Sequence, residues 1–160
     1  MNFYTVSDYL FLLQSIGERL RPLGKRALLY LAAAVSDFYL PEEALSDHKI
    51  QSDEGALILK LEPVPKVIKP LVVKWCPDAF IISFKLETRP EILLTKARQA
   101  LEKYKHNVVI ANVLTERKNR VILVRHGVQD HIIENNDPKK EIEQTIVQEI
   151  LTLFVQHKEK

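Results

Sequence analysis

The hydrophobic pattern has its strongest feature at residues 26–38, where an unbroken apolar run ends abruptly at Ser36 and Asp37. A strand buried on both faces of a parallel sheet lacks polar alternation, so this run predicts a central β-strand. Three alanines, Ala32, Ala33 and Ala34, precede the polar end. Because ligands of open α/β sheets bind beyond the carboxyl ends of the strands, this end is a candidate site for close approach of a ligand to the backbone.

Apolar spacing along the rest of the chain predicts alternating helices and strands. Helical spacing predicts helices over Val6–Leu20, 64–75, 86–107 and Lys139–His157. We expect Ser7 to be the N-cap of the first helix. For the last helix we expect Asp137 as N-cap and Pro138 in the first turn. Short apolar runs predict strands over Ala56–Glu62, Ala79–Lys85 and Val108–Asn112, and an antiparallel hairpin over Val121–Arg125 and Gln129–Ile133. Pro70 predicts a kink or two short helices within 64–75. Strand, helix and strand in succession form a βαβ unit, which predicts an α/β fold with a mostly parallel sheet and an appended antiparallel hairpin.

Composition mainly excludes function classes. The chain has 160 residues, enough for one domain over residues 1–160, and a net charge of +2 from 23 basic and 21 acidic residues. Such a balance gives no electrostatic support for binding nucleic acid or a membrane surface. Polar residues interrupt the first helix, which therefore predicts neither a signal peptide nor a membrane span. The single cysteine, Cys76, excludes an internal disulfide and favours a reducing compartment, so we expect a cytoplasmic protein.

Polar residues also follow the other predicted strands. Asp37 follows the first strand, Lys85 lies next to Phe84 at the end of another, and Asn112 ends a third. Carboxyl ends of parallel strands share one edge of a sheet, so we expect these residues to converge on one crevice. The alternative is structural, because alanines near a strand end accommodate a crossing helix and an aspartate there often caps the next element.

The polar loop after the first strand carries Asp47, His48 and Lys49 side by side. A loop lysine is usually only solvated. Beside a nucleotide site, however, its compact ammonium group is suited to follow negative charge on a phosphate or acyl oxygen. We interpret His48 as solvent-exposed.

Several common catalytic motifs are absent from the sequence. With only four glycines, it contains neither a GxGxxG nor a GxxxxGK[ST] phosphate-binding loop. It also lacks GxSxG, and Cys76 beside Pro77 has no partner spacing that indicates a nucleophile. No clustered His and Cys spacing indicates a metal site.

Five segments carry a family resemblance. In this order and spacing, YLAAAVSDFYLP, HKIQS, VPK, FIISFKLET and VVIAN resemble phosphopantothenoylcysteine synthetase (phosphopantothenate–cysteine ligase) of the eukaryotic type. The resemblance extends from about Asp8 to the closing helix, and residues 31–38 and the FKLET block are its most specific parts.

The resemblance implies a Rossmann-like three-layer fold, a homodimer and a ligase of coenzyme A biosynthesis. In the family's reaction, the carboxylate of 4'-phosphopantothenate attacks a nucleoside triphosphate, giving an acyl nucleotide and pyrophosphate. The amino group of cysteine then displaces the nucleotide and forms an amide. Eukaryotic members use mainly ATP and bacterial members use CTP, and Mg2+ accompanies the triphosphate.

The same resemblance implies roles for individual residues. It assigns Ala33 and Ala34 to the nucleotide and acyl-nucleotide site, and Asp37 to the base and ribose side of the nucleotide. It assigns Lys49 to catalysis of amide formation. Phe84 matches the aromatic residue of the family's GFAAE-like block in the nucleotide site, and Ala111 with Asn112 match the family's AN pair. These roles agree with the chemistry of the residue types, since small residues expose backbone groups and a lysine neutralises charge that develops in a transition state.

Ala100, Tyr104 and Lys66 depart from the family pattern. Ala100 and Tyr104 replace the two lysines of a bacterial AxxKLxxK pattern, and Lys66 replaces a bacterial acid. Contacts to the triphosphate are therefore unassigned by the resemblance. Lys96, Arg98 and Lys103 are candidates for them, with simple solvation as the alternative.

The family's N-terminal glycine-rich turn and the asparagine that stabilises its tetrahedral intermediate have no counterpart in the sequence. We therefore expect a partial ligase domain that lacks the N-terminal part of the family and begins at an internal methionine. Two hypotheses follow: a ligase in which the residues above form half of the active site, or a catalytically silent truncated isoform that only binds nucleotide or dimerises.

Overall fold

The computed structural model describes residues 2–46, 48, 56–137 and 139–159. The helices are α1 (Val6–Leu20), α2 (Ile68–Pro70), α3 (Pro90–Tyr104) and α4 (Ile142–Glu159), with 3-10 turns over Arg21–Arg26 and Glu42–Ala44 and a π-helical turn over Leu71–Trp75. The strands are β1 (Leu28–Leu31), β2 (Phe38–Tyr39), β3 (Glu62–Pro63), β4 (Phe80–Glu87), β5 (Val108–Val113), β6 (Arg120–Val124) and β7 (His131–Glu134).

The main sheet contains five strands in the order β1-β4-β5-β6-β7. β1, β4 and β5 run parallel, and β6 and β7 continue the sheet in antiparallel orientation. In the middle of β4, Ile82 lies opposite Tyr30 of β1 and Val108 of β5. The predicted mostly parallel sheet with an appended hairpin is therefore confirmed.

Helices cover both faces of this sheet. On one face, α4 contributes Ile142, Ile146 and Ile150 to a core with Phe80, Ile82 and Ile110. On the other face, α3 packs Leu93, Ala97 and Leu101 against Val109 and Ala111, while α1 and the π-helical turn pack against β1 and β4. Side chains of a strand alternate between faces, so β4 supplies both cores. The predicted three-layer, Rossmann-like α/β fold is confirmed.

The prediction of a central strand over residues 26–38 is wrong in position and length. β1 has four residues, pairs only with β4, and lies at one edge of the sheet formed by the described residues. Ala32, Ala33 and Ala34 are exposed and lie outside any strand. The apolar run is longer than the strand because the chain leaves the sheet after Leu31.

The predicted strand over Ala56–Glu62 is also wrong in extent. Residues 56–61 have no regular secondary structure and are exposed, and only Glu62 and Pro63 pair. They form a two-stranded antiparallel ribbon in which Phe38 lies opposite Pro63 and Tyr39 opposite Glu62. An apolar run without a neighbouring strand cannot satisfy its backbone groups by pairing, so the run alone overpredicts the strand.

The caps of two helices differ from the prediction. α1 begins at Val6 as expected, but its N-cap is Thr5 and not Ser7. Thr5 Oγ1 accepts the Asp8 N–H at 3.0 Å, and the Asp8 carboxylate accepts the Thr5 N–H at 3.0 Å, which completes a capping box. Asp137 does not cap α4, because its carboxylate accepts the Lys139 N–H in a turn before the helix begins at Ile142. Pro138 lies outside the described residues.

The predicted break at Pro70 is confirmed. Three α-helical residues end at Pro70, and a π-helical turn follows, in which the Leu71 carbonyl accepts the Cys76 N–H at 2.9 Å. Proline has no N–H to donate to the preceding turn, which favours a change of helical hydrogen bonding at this point. Among the described residues, no helix is both long enough and apolar enough to cross a membrane.

Gly17 determines how closely α1 approaches the π-helical turn. A Cβ atom at this position would lie 2.9 Å from Leu71 Cδ1 and 3.2 Å from Trp75 Cβ. Leu71 is fully buried, so its side chain has little space into which it can move.

We expect Gly17→Ala to lower the free energy of unfolding by about 1 to 2 kcal/mol, because overpacking exceeds the gain of about 1 kcal/mol in helix propensity. Urea denaturation measures this change. Arg19→Ala, at an exposed position of the same helix, serves as the control and should stay within about 0.5 kcal/mol of the parent. An equally small change for Gly17→Ala would contradict the close packing.

Candidate functional site

A cavity of about 230 Å3 lies where β1 ends and β4 continues. Leu31, the last residue of β1, is opposite Ser83, whereas β4 extends four residues further to Glu87. Ala33, Asp37, Ser83 and Phe84 line this cavity together with residues of α1 and of segment 64–68. The cavity therefore lies at the carboxyl ends of parallel strands, as expected of a ligand site in this fold class.

Asp37 is held beside Lys66 at the mouth of this cavity. The Asp37 carbonyl accepts the Val64 N–H at 2.9 Å, which joins the two segments next to the β2–β3 ribbon. The Lys66 ammonium donates a hydrogen bond to the Asp37 carboxylate and forms an ion pair with it. That hydrogen bond, together with the charge of Lys66, holds the pKa of Asp37 below its ordinary value. Asp37 is therefore an exposed carboxylate that stays ionised.

A second cavity, of about 400 Å3, adjoins the first and is rich in lysine. The two cavities share Lys66, Ile68, Ser83, Phe84 and Tyr104 in their linings. The second adds Lys85, Lys96 and Lys103 to the lining. We call it the lysine cavity. Its lysines come from segment 64–68, β4 and α3, which the fold brings together from distant parts of the sequence.

Glu87 organises two of these lysines. Its carboxylate lies 2.8 Å from the Lys96 ammonium and 3.1 Å from that of Lys85. The hydrogen bond from Lys96, followed by that from Lys85, holds the pKa of Glu87 below its ordinary value. Asp37 and Glu87 offset only part of the lysine charge, so the combined site keeps a surplus of positive charge. This favours an anionic ligand such as a polyphosphate.

Phe84 has an aromatic partner at the floor of the site. Its ring meets that of Tyr30 edge to face, with 5.2 Å between the ring centroids. Phe84 is half-buried and contacts the core beneath α4 while also lining both cavities. Its ring is therefore fixed by packing and presents an apolar surface to the site.

Sequence reasoning missed a buried polar pair under the site. Ser83 Oγ lies 2.8 Å from His106 Nε2, and the two residues are 5% and 2% exposed. Burial, with a smaller contribution from the charge of His126, lowers the pKa of His106 from 6.5 to about 4, so the imidazole is neutral at pH 7. A serine within an apolar strand and a histidine after a helix carry no spacing signal, because 23 residues separate them.

The predicted site residues come together only in part. Ala33, Asp37 and Phe84 line the first cavity, and Ala34 is exposed beside it without contributing to the lining. Asn112 lies elsewhere, in a cavity that it shares with Pro90 and Glu116, so the expected convergence of all three strand ends is wrong for Asn112. Register explains the difference, since Asn112 pairs with Leu86, two residues beyond Phe84.

The structure also places the candidate residues of the polar loop and of α3. Lys49 lies outside the described residues, as does Asp47. His48 is exposed, as expected. Lys96 and Lys103 line the lysine cavity, whereas Arg98 lies elsewhere and forms an ion pair with Asp130 at 2.7 Å. Across the described ranges, no group of three or more His, Cys, Asp or Glu side chains is arranged to hold a metal ion.

Comparison with protein families identifies the chain. Residues 17–154 match the DNA/pantothenate metabolism flavoprotein C-terminal domain. The chain belongs to this family. Its curated relatives include the phosphopantothenate–cysteine ligase of Homo sapiens, which is 48% identical over 150 residues, covering 92% of this chain and 48% of the relative. Phosphopantothenate–cysteine ligase CAB2 of Saccharomyces cerevisiae is 39% identical over 169 residues, covering 93% of this chain and 46% of the relative.

A solved structure agrees with this flavoprotein C-terminal domain assignment. A Cab2 mutant in complex with phosphopantothenate-cysteine superposes with a TM-score of 0.89 at 40% identity, covering all of this chain and 55% of the Cab2 chain. The family resemblance predicted from the sequence is thus confirmed. This chain spans about half the length of the curated relatives that it matches.

The buried His106 makes stability depend on pH. Its pKa is about 4 in the folded chain and 6.5 for an ordinary histidine, so the unfolded chain binds the additional proton between these values. Stability is therefore complete above pH 6.5 and falls as the pH decreases toward 4. We expect a loss of about 2 kcal/mol between about pH 7.5 and about pH 5, measured by urea unfolding.

His106→Gln should remove most of this dependence in the same pH range, although it lowers stability at neutral pH. His48→Gln, at an exposed position, is the matched control and should retain the dependence of the parent. A parent whose unfolding free energy is unchanged across this range would contradict the buried neutral imidazole.

Proposed function

We propose that this chain provides the nucleotide-binding half of the active site of an ATP-dependent phosphopantothenate–cysteine ligase. The observation that carries the proposal is the pair of joined cavities, in which Ala33, Asp37 and Phe84 adjoin a group of lysines. An apolar ring, exposed backbone beside a small residue, and a carboxylate suit a nucleoside, and the lysines suit its phosphates. Relatives that carry the ligase name support the choice of reaction.

In the first proposed step, the carboxylate oxygen of 4'-phosphopantothenate attacks the α-phosphorus of ATP. A new oxygen–phosphorus bond forms, the bond to the bridging oxygen breaks, and pyrophosphate leaves with the negative charge. Lys85, Lys96 and Lys103 in the lysine cavity neutralise the triphosphate and the departing pyrophosphate. Because Glu87 fixes two of these ammonium groups, little reorganisation is needed when charge develops there.

In the second proposed step, the cysteine amino group attacks the acyl carbon of the mixed anhydride. An amide bond forms, AMP leaves with the electrons of the broken carbon–oxygen bond, and the amine loses its proton. Lys49 remains the candidate catalytic residue here, on the basis of the family motif alone. Ala34 likewise remains a candidate for the nucleotide site on that basis, whereas Asn112 lines a separate cavity and is not assigned to it.

Mg2+ enters this proposal bound to the triphosphate, and CTP is the alternative nucleotide. The carboxylates of Asp37 and Glu87 already face lysines, and the described residues supply no cluster of metal ligands. The described residues therefore fit a metal that arrives with its phosphate ligands. We further propose a homodimer and a cytoplasmic location, which follow from the family resemblance and from the single cysteine.

Pyrophosphate release tests the proposal directly. The purified chain is incubated with ATP, Mg2+ and 4'-phosphopantothenate, with and without cysteine. Release that depends on phosphopantothenate supports the ligase. No release from a folded chain that still binds ATP would instead support the alternative, a silent chain that binds nucleotide or dimerises only.

Lys49→Gln separates the two proposed steps. We expect the variant to retain most phosphopantothenate-dependent pyrophosphate release while formation of phosphopantothenoylcysteine falls by about a hundredfold, because the lysine acts on the second step. Lys60→Gln, at an exposed position beyond the same loop, is the control. An equal loss of both steps would show that Lys49 acts in nucleotide binding or activation.

Asp37→Ala decides what the carboxylate does. If Asp37 binds the ribose, ATP affinity measured by calorimetry falls about tenfold. The free energy of unfolding should change by less than about 1 kcal/mol, because the Asp37–Lys66 ion pair is exposed. Increased ATP affinity would instead mean that Asp37 only neutralises Lys66. Glu43→Gln, on an exposed turn, is the control.

A further inference from the structure

A third cavity, of about 270 Å3, lies at the opposite end of the parallel strands from the nucleotide site. It begins where β4 starts at Phe80 and where His106 and Asn107 precede β5. Arg125, which follows β6, and His157, near the end of α4, complete its walls. The proposed ligase steps use none of these residues as ligand contacts.

The charged side chains that line this cavity are basic. Its lining contains Lys105, His106, Arg125, His126 and His157. Within the part of the chain that the structure describes, no aspartate or glutamate lines it. Glu102, outside the lining, lies 2.5 Å from the Lys105 ammonium and 3.3 Å from His126 Nδ1, so those two side chains have a carboxylate partner.

Arg125 has no such partner. It is half-buried, and the ion pairs formed among the described residues do not include it. A partly desolvated guanidinium without a counterion is unfavourable, and its planar fork of donors matches the oxygens of a phosphate or carboxylate.

Two buried polar atoms without a hydrogen-bond partner belong to residues that line this cavity. In the described residues, three buried side-chain atoms have no partner, and two of them are His106 Nδ1 and Arg125 Nε. His106 is 98% buried, since its exposed fraction is 2%. Because native structures rarely leave buried polar atoms unpaired, two such atoms in residues that line one basic cavity favour a ligand that can pair with them.

We propose that this cavity binds an oxyanion of the phosphate class, held by the Arg125 guanidinium and by the Nδ1–H group of His106. The hydrogen bond of His106 to Ser83 allows this arrangement. When the Ser83 hydroxyl donates to Nε2, the single proton of the neutral imidazole lies on Nδ1 and is available to the anion. The Nε2–H group of His157 does not take part in this arrangement, because it donates to the Asp78 carbonyl at 2.9 Å.

Titration of the chain with inorganic phosphate tests the site. Binding is followed by calorimetry and by the NMR signals of the His106 imidazole, and we expect saturation together with a rise in the pKa of His106, because an anion favours the imidazolium. Arg125→Gln should weaken binding by about tenfold or more. Arg117→Gln, at an exposed position in the turn between β5 and β6, is the matched control and should bind like the parent.

Two further experiments identify the chemical source of the anion and separate phosphate binding at this cavity from the proposed ligase activity. Methyl phosphate binding as tightly as inorganic phosphate would indicate a phosphomonoester ligand, whereas weaker binding would indicate inorganic phosphate itself. Lys103→Gln, in the lysine cavity, should leave the response of His106 unchanged even if it abolishes ATP binding. Arg125→Lys, which keeps the charge and loses the fork, replaces Arg125→Gln if that variant does not fold, and should also bind phosphate more weakly than the parent.

Three results would overturn the proposal. The first is the absence of saturable phosphate binding to a folded chain. The second is an equal loss in Arg125→Gln and Arg117→Gln, which would mean nonspecific charge. The third is acetate binding as tightly as phosphate, which would exclude the phosphate class.

Discussion

The difference in length between β1 and β4 is the constraint on which the proposed nucleotide site depends. The two strands pair in parallel from Leu28 opposite Phe80 to Leu31 opposite Ser83, and then only β4 continues. From that register onward, one edge of β4 has no neighbouring strand in the main sheet formed by the described residues. The chain that leaves β1 carries Ala33 and Asp37 across this opening, while the next residues of β4 present Phe84 and Lys85 to it. The same termination of pairing therefore creates the space and supplies its lining.

The charges around this opening give it a local positive field. Lys66 and Asp37 are exposed, with 52% and 74% of their side chains accessible, and such ion pairs contribute little to folding. Glu87 is much less accessible, at 12%, and contacts both Lys85 and Lys96. One carboxylate thus fixes two ammonium groups without cancelling both charges. A site built in this way presents a localised positive field in a chain whose net charge is only +2.

The elements were predictable because their signals are local, whereas the site was predictable only where the family motif supplied residues. Helical spacing predicted both ends of α1 correctly, and Pro70 predicted the break in the helix over 64–75. The position of β1 at an edge of the sheet depends instead on which strands pair with it. Lys66, Lys85 and Lys103 line one cavity although they lie in a loop, a strand and a helix, and periodicity carries no information on such an arrangement. Lys49 stays a prediction from the motif. Ser83 and His106 gave no signal, since each fits its own element without reference to the other.

His106 connects the two ends of the sheet through its two ring nitrogens. Nε2 lies 2.8 Å from Oγ of Ser83, which lines both cavities of the proposed nucleotide site. Nδ1 is a buried atom without a partner, and His106 lines the same third cavity as Arg125. A neutral imidazole holds one proton, so a ligand that requires it on Nδ1 also requires Nε2 to accept from the Ser83 hydroxyl. Ser83 Oγ would then offer only lone pairs to the proposed nucleotide site. An anion bound at one end of the strands would in this way fix the hydrogen-bonding role of a side chain at the other, with no movement of the backbone.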